Sequence, residues 1–259
     1  MPVAAQEGPP AAPAPVDATA LAKQSQNPIS NLVSIPLQSN FYTGGDLGAR
    51  TFYNLNVQPV FPFPVSKDWM VVGRMIAPFD SIPAPGESRD TGLGDIQLEF
   101  FFTPARPGKL IWGFGPIFLL PTATASSLET GSWAAGPAFV VVKNVGPFVL
   151  GGLITQSWHF ADSGGEPATN ALALQPAINF NFGKGWALAC SPTITANWDA
   201  EKGSRWTVPL GLGITHTTVF NRRPMNIGLS YYHNVERPKG SGASQLRISI
   251  TLLYPKSRS

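Results

Sequence analysis

Charged and amide side chains occur at alternate positions of two consecutive strand-like segments. Arg74 belongs to the first segment, and Asp95, Gln97 and Glu99 belong to the second. Alternate residues of a strand project from the same face, so these side chains are expected to meet on one side of a sheet. Isolated charges are costly in an apolar setting, whereas a watery interior tolerates them and pairing offsets part of the cost. Two interpretations fit equally: a charged constriction that selects solutes, and a lattice of ion pairs that fills a narrow interior.

A second set of residues raises the question of catalysis. Ser157 and His159 share one face of a strand, and Asn197 is a conceivable third member of a nucleophilic site acting on lipids. Such catalysis also needs an oriented base and an oxyanion site, and no motif identifies either one. His159, His216 and His233 are scattered without the spacing of metal ligands. We therefore predict no catalytic residues, no metal and no cofactor, and keep a lipid-acting enzyme as an alternative.

Long alternating strands must position these side chains. The clearest pair lies between Ala171 and Asp199, where a Gly183-Lys184-Gly185 turn joins two segments. The apolar face carries Leu172, Leu174, Ile178, Phe180, Leu188 and Ile194, and the other face carries Gln175, Asn179, Asn181, Thr193 and Thr195. Each segment has roughly ten or more residues, against about 5–6 in a typical strand, which is long enough for a tilted strand to cross a bilayer.

The alternating pattern recurs along the chain and predicts twelve strands. They cover residues 31–42, 50–64, 68–79, 92–103, 110–121, 133–143, 148–160, 170–182, 186–198, 206–219, 225–235 and 245–254. Connections after even-numbered strands are short, and those after odd-numbered strands tend to be longer and rich in Gly, Ser and acidic residues. Short turns at one end and long loops at the other are typical of outer-membrane barrels. The even strand count predicts that both termini lie at the short-turn, periplasmic end.

The composition supports the same class of protein. Charged residues make up 13% of the chain, about half of the usual ~25%, yet no segment approaches the ~18 consecutive apolar residues of a membrane helix. The single Cys190 excludes an internal disulfide, and the net charge of +3 gives no reason to infer nucleic-acid binding. Tryptophan at both ends of an apolar face is typical of membrane-interface girdles. The predicted girdle residues are Trp69, Trp112, Trp133, Trp158, Trp186, Trp198 and Trp206.

Residues 1–30 form a Pro/Ala-rich leader that differs from the rest of the chain. We expect its start to be disordered or extended, with one or two helical turns between Ala18 and Gln24 that end near Asn27-Pro28. The leader either lies in the periplasm or folds into a pore as a plug. No signal peptide is visible, although Val3-Ala4-Ala5 resembles the end of a cleavage site. We interpret the chain as an exported protein, either mature or from a late-start gene model, with a cytosolic protein as the alternative.

Two sequence blocks resemble a known family. One runs from Leu21 to Pro36, and the other combines Trp112–Pro116 with Leu120–Thr124, with Gly92-Leu93-Gly94-Asp95 between the two blocks. They are similar to a bacterial outer-membrane barrel family. Its members are named as transporters, as "neuromedin U"-like proteins, or as relatives of the outer-membrane proteins of meta-pathway phenol degradation. The resemblance covers roughly residues 20–256 and implies uptake of small, including aromatic, compounds. Its motifs are structural and bring no catalytic residues.

These observations predict an all-β fold, a closed antiparallel up-and-down transmembrane barrel of about twelve strands over residues 31–259. The expected location is the bacterial outer membrane, where a monomer would meet lipid, lipopolysaccharide and the assembly machinery. Uncharged hydrogen-bonding groups in the lumen favour passive passage of small, neutral or weakly polar solutes. The predicted lining is Asn54, Asn56, Gln58, Arg74, Asp95, Gln97, Glu99, Gln175, Asn179, Thr195 and Arg247, with Arg74, Asp95 and Glu99 at the constriction. A plugged structural barrel and a soluble β protein are further alternatives.

Overall fold

The computed structural model describes residues 18–86, 88–130, 132–162, 170–221 and 223–254. Within these residues, one helix, α1 (Ala18–Ser25), precedes fifteen strand segments. The segments are β1 (Val33–Thr43), β2 (Phe52–Val57), β3 (Val60–Pro64), β4 (Trp69–Pro83), β5 (Arg89–Leu93), β6 (Ile96–Pro104), β7 (Leu110–Leu120), β8 (Ser132–Val145), β9 (Phe148–Asp162), β10 (Asn170–Gly183), β11 (Trp186–Cys190), β12 (Ile194–Asn197), β13 (Trp206–Phe220), β14 (Arg223–Glu236) and β15 (Ser244–Tyr254). The start of the predicted leader, residues 1–17, and the predicted loop over residues 163–169 lie outside the described residues.

Three barrel strands are interrupted, so the fifteen segments form twelve strands, as the alternating pattern predicts. The pairs β2 and β3, β5 and β6, and β11 and β12 each continue one strand. Pro59 lies in the first gap and Pro192 in the third, where a residue without a backbone N–H cannot donate to a neighbouring strand.

The sheet closes on itself through its first and last strands. β1 pairs antiparallel with β15 from Val33 opposite Tyr254 to Thr43 opposite Ser244. All other pairings are also antiparallel between strands adjacent in the barrel. The predicted pairing of the first strand with Gln245–Tyr254 is therefore confirmed. Closure satisfies the edges that an open sheet would leave unpaired in lipid.

The two faces of the wall differ sharply in polarity. On β10, the outward Ile178 side chain is 52% exposed, whereas the next residue, Asn179, is only 3% exposed and faces the interior. The same alternation leaves large apolar side chains exposed all around the exterior, including Phe114, Trp158, Leu212, Leu229, Ile248 and Ile250. A wide exposed apolar surface is unfavourable in water and matches the lipid-facing band of a transmembrane barrel.

The connections sort by length as predicted, with one exception. At one end the turns are short, such as Gly146-Pro147 and Lys184-Gly185, and at the other end the described loops include residues 44–51, 121–130 and 237–243. The predicted long loop over Asp80–Thr91 is wrong in extent, because β4 and β5 pair as far as Pro83 opposite Arg89. The described residues between these two paired segments are 84–86 and 88. We call these two ends of the barrel the turn end and the loop end.

Crosslinking across the closing seam gives a direct test of the register. In a Cys190→Ser background, we expect Gln38→Cys and Ser249→Cys to form a disulfide on oxidation, because these residues are directly opposed on β1 and β15. A gel-mobility shift of the folded protein would report the bond. The control pair is Gln38→Cys with Gln245→Cys, which should not crosslink because Gln245 is opposite Tyr42. Equal crosslinking of both pairs would contradict the register.

Candidate solute-binding lumen

The N-terminal segment crosses the barrel interior at the turn end. Helix α1 packs against β10, β11, β13 and β14 on one side of the wall. Ile29 then reaches the opposite side, where it is buried in one apolar cluster with Val60, Val72 and Phe101. A segment that passes from one side of the wall to the other must lie across the lumen. The helix lies where the sequence predicts one, and the segment occupies the position of a plug rather than a free leader.

Polar contacts fix this segment in place. Lys23 donates through Nζ to the carbonyl oxygen of Gly146 in a short turn, at 2.8 Å. The amides of Gln26 and Asn181 exchange two hydrogen bonds, each 3.1 Å long. Leu21 and Ala22 are buried as well. These contacts join the segment to β10 and to the turn between β8 and β9.

Above the segment, a cavity of about 940 Å³ extends toward the loops. It is lined by Ser25–Pro28 from the plug, by side chains of most barrel strands, and by Gly240–Gly242 from the last loop. Its lining combines apolar groups with many amides and hydroxyls. Arg74 and Arg247 are the charged residues among the described lining residues, which include no Asp or Glu. The volume falls in the range of sites that enclose small organic molecules.

Arg74 forms a buried ion pair with Glu99. The two residues are directly opposed on β4 and β6, and Arg74 Nη1 lies 3.1 Å from Glu99 Oε2. The Arg74 side chain is 10% exposed and that of Glu99 is fully buried. Arg74 also donates to Gln58 Oε1 at 2.7 Å, and Gln97 donates to Glu99 Oε1 at 2.7 Å. The pair is therefore hydrogen-bonded on both sides and adds little net charge to the lumen, as in the ion-pair-lattice interpretation.

Arg247 is a cation of a different kind. It projects from β15 and donates through Nε to Asn40 Oδ1 at 2.9 Å, while its guanidinium carbon lies 5.4 Å from the Tyr232 ring centroid. Its Nη1 donates to the Ser191 carbonyl oxygen at 3.3 Å, in the gap between β11 and β12. Among the described residues, no carboxylate lies within 4.0 Å of this guanidinium.

Amides connect Arg247 to a distant acid. Asn40 donates to Asn54 at 2.9 Å, and Asn54 donates in turn to Asp80 Oδ1 at 2.7 Å. Gln245 also donates to Asn40, at 2.8 Å. Asn54 and Arg247 are among the residues predicted from the sequence, whereas Asn40, Asp80 and Gln245 are not, although Asn40 alternates in step with the lumen residues. Two amides thus separate the positive charge of Arg247 from the negative charge of Asp80.

Asp95 is not brought together with Arg74. Its carboxylate accepts hydrogen bonds from the backbone N–H groups of Thr122, Ala123 and Thr130, and from the Thr130 hydroxyl, at 2.6–3.0 Å. Asp95 lies between β5 and β6, immediately before Ile96 at the loop end, and is 7% exposed. The expectation that it shares a constriction with Arg74 is wrong, because a carboxylate satisfied by four loop donors anchors the loop instead.

The remaining predicted lining residues fall into two groups. Those that border the cavity are Asn56, Gln58, Gln97, Gln175, Asn179 and Thr195. Asn54 and Glu99 lie behind the cavity surface, at 7% and 0% exposure, where they hydrogen-bond to other polar side chains. Their role in solute passage stays a prediction.

The tryptophans lie near the two ends of the barrel strands. Trp69, Trp112 and Trp186 are near the turn end, with the Trp69 and Trp112 rings 6.1 Å apart. Trp133, Trp158, Trp198 and Trp206 are near the loop end, where the Trp198 and Trp206 rings are 5.5 Å apart. Four of the seven are strongly exposed, namely Trp69, Trp133, Trp158 and Trp186. Their role as an interface girdle stays a prediction.

The polar residues that suggested catalysis are not assembled into a site. The Ser157 hydroxyl donates to the Ala171 carbonyl oxygen at 3.4 Å, and it has no hydrogen bond to His159 in the described part of the chain. Asn197 accepts a hydrogen bond from the backbone N–H of Asp199. Across the described ranges, no three His, Cys, Asp or Glu residues cluster as metal ligands, and no helix is long and apolar enough to span a membrane.

A clasp joins the first and last loops at the loop end. The exposed Asp46 carboxylate accepts hydrogen bonds from the Gly240 N–H at 2.8 Å and from Arg237 Nη1 at 3.1 Å. Gly45 has a φ of 60°, and a Cβ added there would contact the Arg237 side chain and the Ser241 backbone. The close approach of the two loops therefore needs glycine at this position.

The clasp should depend on pH in a defined way. The Gly240 N–H and then the Arg237 guanidinium hold the pKa of the Asp46 carboxyl below its ordinary value. The clasp should thus be complete above the ordinary carboxyl pKa of about 4 and be lost as the pH falls through the lowered value. Amide hydrogen exchange at Gly240, corrected for its intrinsic pH dependence, would measure this. Asp46→Ala, which removes the acceptor, should show the open-clasp rate at every pH, and a break near neutral pH in the wild type would contradict the assignment.

Known structures share this architecture. An outer membrane channel from Pseudomonas putida F1 aligns with a TM-score of 0.63 and 13% identity, over 86% of this chain and 96% of that chain. The NanC porin aligns with a TM-score of 0.52 and 11% identity, over 86% of this chain and 100% of that chain. At these identities the likeness concerns the fold. Neither the protein-family models nor the curated proteins gave a match.

Proposed function

We propose that this protein is a bacterial outer-membrane channel through which small solutes pass passively. The observation that carries the proposal is a cavity of about 940 Å³, with a largely uncharged polar and apolar lining, inside a closed barrel whose exterior is apolar. Amides and hydroxyls can replace part of the water around a solute without a strong electrostatic field. This suits small, neutral or weakly polar solutes, and the sequence resemblance adds aromatic compounds.

The proposed orientation follows from the loop lengths. Outer-membrane barrels have short periplasmic turns and longer extracellular loops. The turn end, where α1 lies and where β1 begins and β15 ends, would then face the periplasm. The "neuromedin U"-like and phenol-degradation relationship stays part of this proposal. The two proteins of similar fold are named as a channel and a porin, which agrees with this role.

The plug segment should control passage. In a Cys190→Ser background, Gln26→Cys and Asn181→Cys can be joined by a short reducible crosslinker, since these side chains are in contact. We expect liposomes containing the linked protein to swell more slowly in L-arabinose than those containing the unlinked protein, because the segment can no longer leave the lumen. Reductant should restore the rate.

The control carries Gln26→Ser and Asn181→Ser in the same background, and the crosslinker should leave its swelling rate unchanged. Equal rates before and after linking would mean that the segment does not limit passage. If the wild-type protein, shown to be folded by heat-modifiable migration on gels, admits no arabinose or other small neutral solute, a plugged structural barrel becomes the better description.

A further inference from the structure

The electrostatic asymmetry of the lumen points to a specific class of solute. Arg74 is compensated directly by Glu99, whose fully buried carboxylate lies 3.1 Å away. Arg247 has no such partner within the described residues, and its nearest linked acid, Asp80, is separated from it by Asn40 and Asn54. The described cavity lining contributes no carboxylate. A solute inside the cavity therefore meets one cation that is not directly paired.

The Arg247 guanidinium is held in place before any solute arrives. The Nε bond to Asn40 and the Nη1 bond to the Ser191 carbonyl oxygen fix its plane, and the Tyr232 ring packs against it. Arginine carries five N–H donors, and the described contacts use two of them. The remaining donors and the partial exposure of the side chain leave a fork of the kind that binds a carboxylate through two parallel hydrogen bonds.

The cavity that contains this fork favours an amphipathic ligand. Apolar side chains that remain partly exposed line it, among them Leu47, Phe52, Ile76 and Ile82. A highly charged solute would lose hydration at such a surface without recovering it, whereas an apolar body would gain from burial. A solute with a single carboxylate on a compact apolar or aromatic body matches both the guanidinium fork and the apolar part of the lining.

We propose that Arg247 forms a carboxylate-binding site in the lumen and that the channel favours small amphipathic monocarboxylates over their neutral counterparts. This inference rests on the proposed channel function and names a preferred solute class for it. Neutral solutes would still pass through the largely uncharged lining. The two available N–H donors would bind the carboxylate oxygens, while the body of the solute packs against the apolar wall.

A purely structural role for Arg247 makes a different prediction. In that case the guanidinium ties the Ser191 carbonyl oxygen to Asn40 across the interior, and substitution would change stability alone. Binding of benzoate and of benzamide separates the two roles, because these probes share a ring and differ in charge. Isothermal titration calorimetry of the purified folded barrel at pH 8 measures the affinity for each ligand. Swelling of liposomes in arabinose measures passage through the channel.

We expect wild type to bind benzoate more tightly than benzamide. Arg247→Gln should weaken benzoate binding by about tenfold or more, the effect of losing a charged hydrogen-bond pair, so that the preference for benzoate over benzamide is lost. Arg247→Lys, which keeps the charge but not the fork, should fall between the two. The matched control is Arg74→Gln with Glu99→Gln, which leaves the net charge unaltered and should retain the benzoate preference.

Each outcome decides one point. Equal binding of benzoate and benzamide by wild type, or unchanged benzoate binding by a folded Arg247→Gln protein, would overturn the carboxylate site. If liposomes containing the wild-type protein admit no arabinose, the channel function itself would be overturned. A stability change in Arg247→Gln with an unchanged ratio of the two affinities would establish the structural role.

Discussion

Replacing Arg74 with alanine is expected to lower the free energy of unfolding by about 3–5 kcal/mol, the usual cost of removing one partner from a buried ion pair. Glu99 is fully buried, and after the substitution the Gln97 amide would be the one hydrogen-bond partner left to its carboxylate among the described residues. Most of the expected loss comes from this uncompensated charge rather than from the attraction between the two groups. Reversible urea unfolding in lipid vesicles would measure the change.

The control for this experiment is the double substitution Arg74→Gln with Glu99→Gln. Glutamine has the size of Glu99 and is shorter than Arg74, but the double substitution leaves no uncompensated charge and supplies amides that can hydrogen-bond, so the loss should be smaller than for Arg74→Ala alone. If the single substitution proves as mild as the double one, water must reach Glu99 and the lumen is wetter at this point than the burial indicates.

The barrel itself follows from local alternation, which is why the sequence predicts it well. Side chains of a strand change face at every residue, so a one-residue shift in pairing would turn Ile178 inward and Asn179 outward. Twelve strands, their order and the β1–β15 seam are all determined by this constraint together with the loop lengths. The extent of the loop after β4 is not, because Phe79–Pro83 and Arg89–Leu93 can pair without a strong apolar pattern.

The lumen is harder to predict, because its contacts join residues far apart in the chain. Alternation along the strand places Asp95, Gln97 and Glu99 on the inner face, but it does not show where along the barrel axis each side chain makes its contacts. Asp95 binds loop residues 122–130, whereas Glu99 binds Arg74. The Arg247–Ser191 contact depends on a gap in the wall three strands away, between β11 and β12. Neither the composition of the chain nor the spacing of these residues along it indicates that Arg247 and Ser191 are in contact.

The position of the N-terminal segment is the other feature that the sequence leaves open. Its helix is short, and its few apolar residues do not show whether they pack on the barrel or remain free. Ile29 decides the matter, because it is 1% exposed and belongs to the interior cluster with Val72 and Phe101. A single buried residue at the end of a polar segment carries no periodic signal.

The lipid exposure of the wall leads to the second large expected effect. Ile178→Arg should reduce the free energy of folding into a bilayer by about 2–4 kcal/mol if the residue lies near the midplane, and less if it lies closer to the interface. The side chain is 52% exposed on the outer face of β10 and is directly opposed by Leu150 and Cys190. Its described neighbours on that face, Leu150, Cys190, Pro176 and Phe180, carry no carboxylate, so the guanidinium would have to reach the interface or remain poorly solvated.

Gln175→Arg, on the inner face of the same strand, provides the matched comparison. Gln175 borders the lumen cavity, where water and amide groups can solvate a guanidinium, so the expected loss is well below that of Ile178→Arg. Urea titrations of both variants in vesicles of the same lipid would give the difference directly. If the two substitutions lower the free energy of folding equally, both faces must be in contact with the same medium. A lipid-embedded barrel with a polar lumen does not allow this. A larger loss of folding free energy for Gln175→Arg than for Ile178→Arg would reverse the assignment of the two faces. The apolar face would then point inward, as in a soluble β protein.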